Sequence, residues 1–217
     1  MQLKESGQIS LRINKKQFIY LISPNKIKKN FYKNLDKILQ SKKVKFFQLR
    51  IKNSSREKII NIGKKVKRIC KKNKVIFIIN DDPNIAKIIN SDGCHLGQSD
   101  IDILKARKIM KNKIIGLTCH NSKKLIKKAI QNKADYIALG AFYPTKTKKT
   151  RFRARLKLIT DTKKLTDIPI VAIGGINSKN YKNLLLHKVN FLAISGYIWN
   201  NKKLTPKEAI SLLNYEN

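Results

Sequence analysis

The chain has 217 residues, 41% of them hydrophobic, which suits one large domain with a core of its own or two small ones. Its 49 Lys and Arg against 13 Asp and Glu leave a net charge of +36, a balance that draws anything anionic: nucleic acid, an acidic membrane surface or phosphorylated metabolites. Three cysteines, an odd count with no C-x-x-C spacing, do not look like a disulfide framework or a zinc site, and apolar runs of five residues, FIYLI and VIFII, are far too short to span a bilayer.

The charge is spread rather than blocked. Lys occurs in nearly every segment, which reads mainly as drift into solvated positions, with selection for a polyanionic partner as the other explanation. The cysteine usage points to a reducing cytoplasm. Residues 1–17 lack the apolar core of a signal peptide and read as an irregular arm. Residues 18–217 then read as one domain.

Eight short apolar, β-branched runs follow in order: 18–23, 44–50, 75–80, 93–96, 114–118, 136–140, 169–174 and 191–195. Lys-rich stretches with helical spacing separate them. Ile59, Ile62, Val66 and Ile69 recur at steps of three or four and predict an amphipathic helix. Ser122 and Ser178 stand where helix N-caps are expected, and Thr205 with Pro206 opens the last helix. Strands apolar almost throughout belong to parallel sheets buried on both faces. Eight β-α units in about 200 residues predict a single (β/α)8 TIM barrel, with a doubly wound open sheet as the runner-up.

In such a barrel the site lies where the strands end. Gln48, Arg50 and Lys52 alternate along the second strand and so share a face. The third strand ends in Asn80, Asp81 and Asp82, and the fourth unit carries His95, Gln98 and Asp100. The fifth ends in Thr118 and His120, the seventh in Gly174 and Gly175, and the eighth in Ser195 and Gly196. The sixth opens into YPTKTK, residues 143–148. One polar cluster at a strand end is weak evidence; their shared register is much stronger.

The residue types suggest phosphate chemistry. Arg50, Lys52 and Lys148 can neutralise phosphate oxygens. Gly175 and Ser195 offer a backbone-type cradle. Asp81 and Asp100 are hard oxygen ligands suited to Mg²⁺ shared with a diphosphate; taken alone, each has a turn or helix-cap role as its alternative, and for Asp100 the two readings are evenly matched. His95 reads either as a satisfied core histidine or as a site residue, and His120 is equally ambiguous.

The motifs YLIS (20–23), QLRIK (48–52), IND (79–81), DGCHLGQSD (92–100), GLTCH (116–120), ADYIALGAFYPTKTK (134–148), PIVAIGGI (169–176) and FLAISGYIW (191–199) together resemble the thiamine phosphate synthase family, in order and spacing, over nearly the whole chain after the arm. The resemblance implies a (β/α)8 barrel that joins hydroxymethylpyrimidine diphosphate to hydroxyethylthiazole phosphate, releasing pyrophosphate. It implies early C–O cleavage to a pyrimidine carbocation. By match to the motifs, Gln48, Leu49, Arg50, Ile51, Lys52, Asn80, Thr118 and Lys148 would hold the diphosphate substrate. Of these, Arg50, Lys52 and Lys148 would act in catalysis. Asp81 and Asp100 would ligate Mg²⁺. Thr145, Lys146, Thr147, Gly175, Ile194 and Ser195 would receive the thiazole phosphate. Thr118 stands where the family commonly has Ser. The segment 150–158, TRFRARLKL, lacks a Gly that most members have, so Arg151, Arg153 or Arg155 would replace backbone contacts in the lid or the lid differs.

The partners implied are small phosphorylated molecules, with no membrane and a homo-oligomer left open. Two rivals remain. A thiazole tautomerase needs no diphosphate site, which Arg50, Asp81, Asp100 and Lys148 argue against and His120 keeps open. A non-catalytic basic barrel that binds RNA or another anion is motivated by the charge alone, and no stacking-aromatic RNA motif is visible.

Overall fold

Each apolar run pairs with the next, and the eighth returns to the first. In the computed structural model, which describes residues 16–145 and 153–215, the strands form a closed parallel barrel in the order β1 to β8. They are β1 (Ile19–Ile22), β2 (Val44–Leu49), β3 (Ile76–Asn80), β4 (Gly93–Leu96), β5 (Ile114–His120), β6 (Tyr136–Gly140), β7 (Ile170–Ile173) and β8 (Phe191–Ile194). The ring closes where Ile19 of β1 registers with Leu192 of β8. The (β/α)8 expectation is correct, and the open sheet is excluded. Of the proposed 1–17 arm, only residues 16 and 17 are described.

The helices between them are α1 (Phe31–Leu39), α2 (Arg56–Lys72), α3 (Pro83–Ile89), α4 (Ile103–Met110), α5 (Lys123–Gln131), α6 (Lys157–Lys163) and α7 (Tyr181–Leu186). After β8 come α8 (Gly196–Trp199) and α9 (Pro206–Ser211). On α2, Ile62 and Val66 are buried as the spacing predicts, while Ile59 and Ile69 are half-buried; Gly63 and Cys70 complete the inner face. Ser122 accepts from the Leu125 N–H, and Thr205 with Glu208 forms a full capping box at α9. Ser178 does not cap α7: the helix starts two residues later, after Asn180, because the Asn180 side chain instead builds the preceding loop.

Strand alternation makes two cores. One parity faces the helices and packs Phe47, Leu49, Phe77 and Ile79 against them. The other fills the barrel with Tyr20, Phe46, Ile78, Ile114, Tyr136, Val171 and Phe191. Phe46 meets Phe191 edge-on at 5.0 Å and stacks on Tyr20 at 5.2 Å. Tyr136 lies inside because residue 116 is Gly: a Cβ there would come 1.9 Å from the Tyr136 Cζ.

A repeated clamp closes the bottom of the barrel. Before three of the four even strands, β4, β6 and β8, the preceding residue bonds both the N–H and the C=O of one residue in the odd strand before it. Asp92 does this to Phe77, Asp135 to Ile115 and Asn190 to Ile170, with side-chain acceptor distances of 2.7, 2.7 and 2.8 Å. Each satisfies backbone groups at a strand's end. Arg107 adds a 2.7 Å ion pair to Asp135 and donates to the Lys113 carbonyl. The three cysteines are free and buried, and burial pushes the Cys94 and Cys119 thiols up to about 12. Among the described residues, no helix is long and apolar enough to cross a membrane.

Candidate functional site

A cavity of about 680 Å³ opens at the C-terminal ends of the strands. That is the size and place expected of a ligand site in this architecture. Strand parity decides who reaches it. From β2, Gln48 and, beyond the strand, Arg50 and Lys52 line the cavity. The side chains of Leu49 and Ile51 pack instead with the outer hydrophobic layer, because odd positions of this segment face the helices; neither lines the cavity. Gln48 is almost sealed at 2% exposure and donates to the Tyr20 hydroxyl at 3.1 Å. Ser23 holds the start of the β2 loop by accepting from the Arg50 N–H at 2.9 Å.

The two proposed metal ligands meet. Asp81 sits in the left-handed region at φ 68°, with its N–H bonded to the His95 carbonyl at 2.8 Å. Its carboxylate pairs with Lys52 at 3.4 Å. Asp100 accepts from the Gly97 N–H at 2.6 Å. Partial burial, and the neighbouring Asp81 carboxylate, push the Asp100 carboxyl up from its ordinary value. Two carboxylates in contact favour a cation between them. Among the described residues no group of three or more His, Cys, Asp or Glu could hold a metal. Two carboxylates completed by substrate oxygens is the Mg²⁺ pattern, and this pair fits it. Asp82, next in sequence, turns away from the pair and caps α3, accepting from the Asn84 and Ile85 N–H groups at 2.8 and 3.0 Å.

The opposite wall comes from β6 to β8. Gly174 and Gly175 have φ of 106° and 65°. A Cβ on Gly174 would stand 2.3 Å from the Ala141 Cβ, and one on Gly175 2.2 Å from the Pro144 carbonyl oxygen. Glycine is therefore required twice, by conformation and by space. The Asn177 and Asn180 amides both donate to the Gly175 carbonyl, and Tyr143 ties the β6 loop to the Asn180 carbonyl at 2.9 Å. Ser195 donates to the Ser23 carbonyl at 3.1 Å.

Of the residues expected at the site, the cavity gathers Gln48, Arg50, Lys52, Asn80, Asp81, Asp100, Thr118, Thr145, Gly175, Ile194 and Ser195. Lys146, Thr147 and Lys148 lie outside the described residues, as does Arg151. Arg153 and Arg155 are exposed and do not line the cavity, so a replacement role in the lid finds no support there. Both ambiguous histidines do line it, together with Asn177, Tyr197 and Asn200, which strand-end patterning did not single out. The GGIN run was the available signal for Asn177; the FLAISGYIW motif spans Tyr197 without giving it a role, and nothing local pointed to Asn200.

Comparison with known proteins gives a consistent picture. The family model described as thiamine monophosphate synthase matches residues 19–198. A thiamine-phosphate synthase of Pelagibacter ubique is 63% identical over 203 residues, covering 93% of this chain and 98% of that protein. One from Fusobacterium nucleatum is 41% identical, over 83% of this chain and 88% of the relative. Among solved structures, a thiamine phosphate pyrophosphorylase from Pyrococcus furiosus superposes with a TM-score of 0.80 at 26% identity, covering 91% of this chain and 94% of the other. A 3-hexulose-6-phosphate synthase, 13% identical with a TM-score of 0.64 over 89% of this chain and 97% of the other, shares the fold alone.

Proposed function

Because the chain belongs to the thiamine monophosphate synthase family, a family of transferases, we propose that it joins hydroxymethylpyrimidine diphosphate to hydroxyethylthiazole phosphate, giving thiamine phosphate and pyrophosphate. The observation that carries this reading is the division of one cavity into two unlike walls. Arg50, Lys52, Asp81 and Asp100 form one, and the glycine loop after β7 with Ser195 forms the other. The first wall suits a diphosphate, with Asn80 and Thr118 beside it. The second suits a monophosphate approached by backbone groups, with Thr145 and Ile194 at its edge.

In this reading Arg50 and Lys52 stabilise the charge that develops on the departing pyrophosphate. The two walls hold the thiazole nitrogen in line with the breaking C–O bond, which supplies the orientation a dissociative substitution needs. Asp81 and Asp100 would hold Mg²⁺, which supplies electrostatic stabilisation of the leaving group when bound. Lys148, Lys146 and Thr147 belong to the same proposal through the motif alone. Buried, free thiols accord with a reducing cytoplasm. The domain is taken to be 18–217, with 1–17 as an arm.

The test is direct: purified, folded protein with Mg²⁺ and both substrates, followed for thiamine phosphate. Product whose formation stops on chelation supports the reading. No product from either thiazole tautomer overturns it, and conversion of one tautomer to the other without coupling would transfer the assignment to a tautomerase.

A further inference from the structure

Five polar side chains from five strands form one continuous line through the barrel. The Gln48 Nε2 donates to the Tyr20 hydroxyl at 3.1 Å. The Tyr20 and Tyr136 hydroxyls are 2.7 Å apart. The Tyr136 hydroxyl lies 3.0 Å from the His95 Nδ1, and the His95 Nε2 lies 2.8 Å from the Thr118 Oγ. Tyr20 is 2% exposed, Tyr136 0% and His95 9%, whereas Thr118 and His95 reach the cavity wall. The site chemistry described above uses none of the three interior members.

The line has a direction. An amide nitrogen only donates, so the Tyr20 oxygen accepts from Gln48; a buried hydroxyl proton needs an acceptor, and the one that the described hydrogen bonds offer to Tyr20 is the Tyr136 oxygen. The Tyr136 proton then goes to the His95 Nδ1. An Nδ1 that accepts leaves the hydrogen of the neutral ring on Nε2, and Nε2–H donates to Thr118. Thr118 therefore accepts from His95 rather than donating to it, and its own proton is left to point at whatever occupies the cavity. Burial pushes both phenols far above their ordinary values, so each keeps its proton to pass on. The His95 and Tyr136 rings lie nearly parallel, 14° apart with centroids at 5.6 Å. Gly116 is the space that seats Tyr136 for this.

We propose that Tyr20, Tyr136 and His95 are positioning residues: a one-way hydrogen-bond chain that fixes the Nε2–H tautomer of His95 and so reserves the Thr118 proton for an anionic oxygen of the ligand. That this oxygen belongs to the diphosphate substrate rests on the function proposed above; the direction of the chain does not.

The experiment has two arms. Histidine-selective ¹⁵N NMR on the whole protein, with the His95 signals assigned by their loss in His95→Gln, reads the tautomer directly. Protonated Nε2 with acceptor Nδ1 is expected; protonated Nδ1, or an imidazolium, overturns the proposal. The second arm measures binding of inorganic pyrophosphate with Mg²⁺, and the KM of each substrate, in Tyr136→Phe, Thr118→Val and their combination. Each single change should weaken pyrophosphate about 10-fold and raise the diphosphate KM by a similar factor, leaving the thiazole KM within about 2-fold. The double variant should lose no more than Thr118→Val alone, and Thr118→Ser should restore binding. Additive losses, or equal effects on both substrates, would reduce the chain to core packing and overturn the proposal. If coupling activity is absent but the tautomer and the non-additive pyrophosphate binding are found, the proposed function falls and the chain stands.

Discussion

Acidic residues occupy both ends of this barrel, and their surroundings differ. At the bottom, Asp135 accepts from the Ile115 N–H and from Arg107, both at 2.7 Å, with its side chain 13% exposed. At the mouth, Asp81 pairs with Lys52 at 3.4 Å across a side chain 38% exposed, and leans on Asp100. The first acid has its oxygens filled by the fold. The second has charge and lone pairs turned toward a cavity. One kind of side chain therefore serves stability where backbone donors surround it, and in the proposed function serves ligand binding where another carboxylate does.

Four substitutions sharpen or break that contrast. The largest effect belongs to Asp81→Asn, which keeps shape and tolerates the left-handed backbone. It should cost on the order of 10²–10³ in kcat/KM and blunt the response to Mg²⁺ titration, with the thermal midpoint nearly unchanged. A matched loss of stability would show the mouth acid to be structural. Asp135→Ala should do the reverse. Removing a charged acceptor from a backbone N–H and a buried-side Arg should cost about 2–3 kcal/mol in urea unfolding, while the activity of the remaining folded protein holds. Gly175→Ala tests the other wall. The strained φ and the Pro144 contact predict a loss of about 1–2 kcal/mol and a raised KM for the thiazole phosphate alone. The smallest change is Asp82→Ser, which preserves the α3 cap: stability should move by about 0.5 kcal/mol or less and kcat/KM by less than about 3-fold. A large kinetic defect there would erase the distinction between the adjacent acids.

Much of the site was readable because a strand has period two. Once Gln48, Arg50 and Lys52 were seen to share a face, their arrival at one cavity followed from strand geometry, and the same parity sends Leu49 and Ile51 outward. The NDD run was less readable. Spacing alone could not say that Asp81 faces the cavity while Asp82 turns back to cap a helix. The left-handed backbone at Asp81 separates the two, and that conformation depends on the bond from its N–H to the His95 carbonyl of β4. The Ser178 cap failed for a related reason: the hydrogen bonds of Asn177 and Asn180 to Gly175 shape that loop before the helix begins.

Short-range periodicity determined the eight strands, the amphipathic helices and the end of the barrel where function would lie, because those signals are carried by neighbours two to four residues apart. Tertiary structure decided the rest. Pairing of neighbouring strands seated Tyr136 over Gly116, brought Asp81 against Asp100 and gave Asp135 its two partners. Closure of the barrel put the Tyr20 hydroxyl 2.7 Å from that of Tyr136, 116 residues away. Contacts between residues far apart in sequence leave no periodic trace, because they exist only once the strands that carry them have paired.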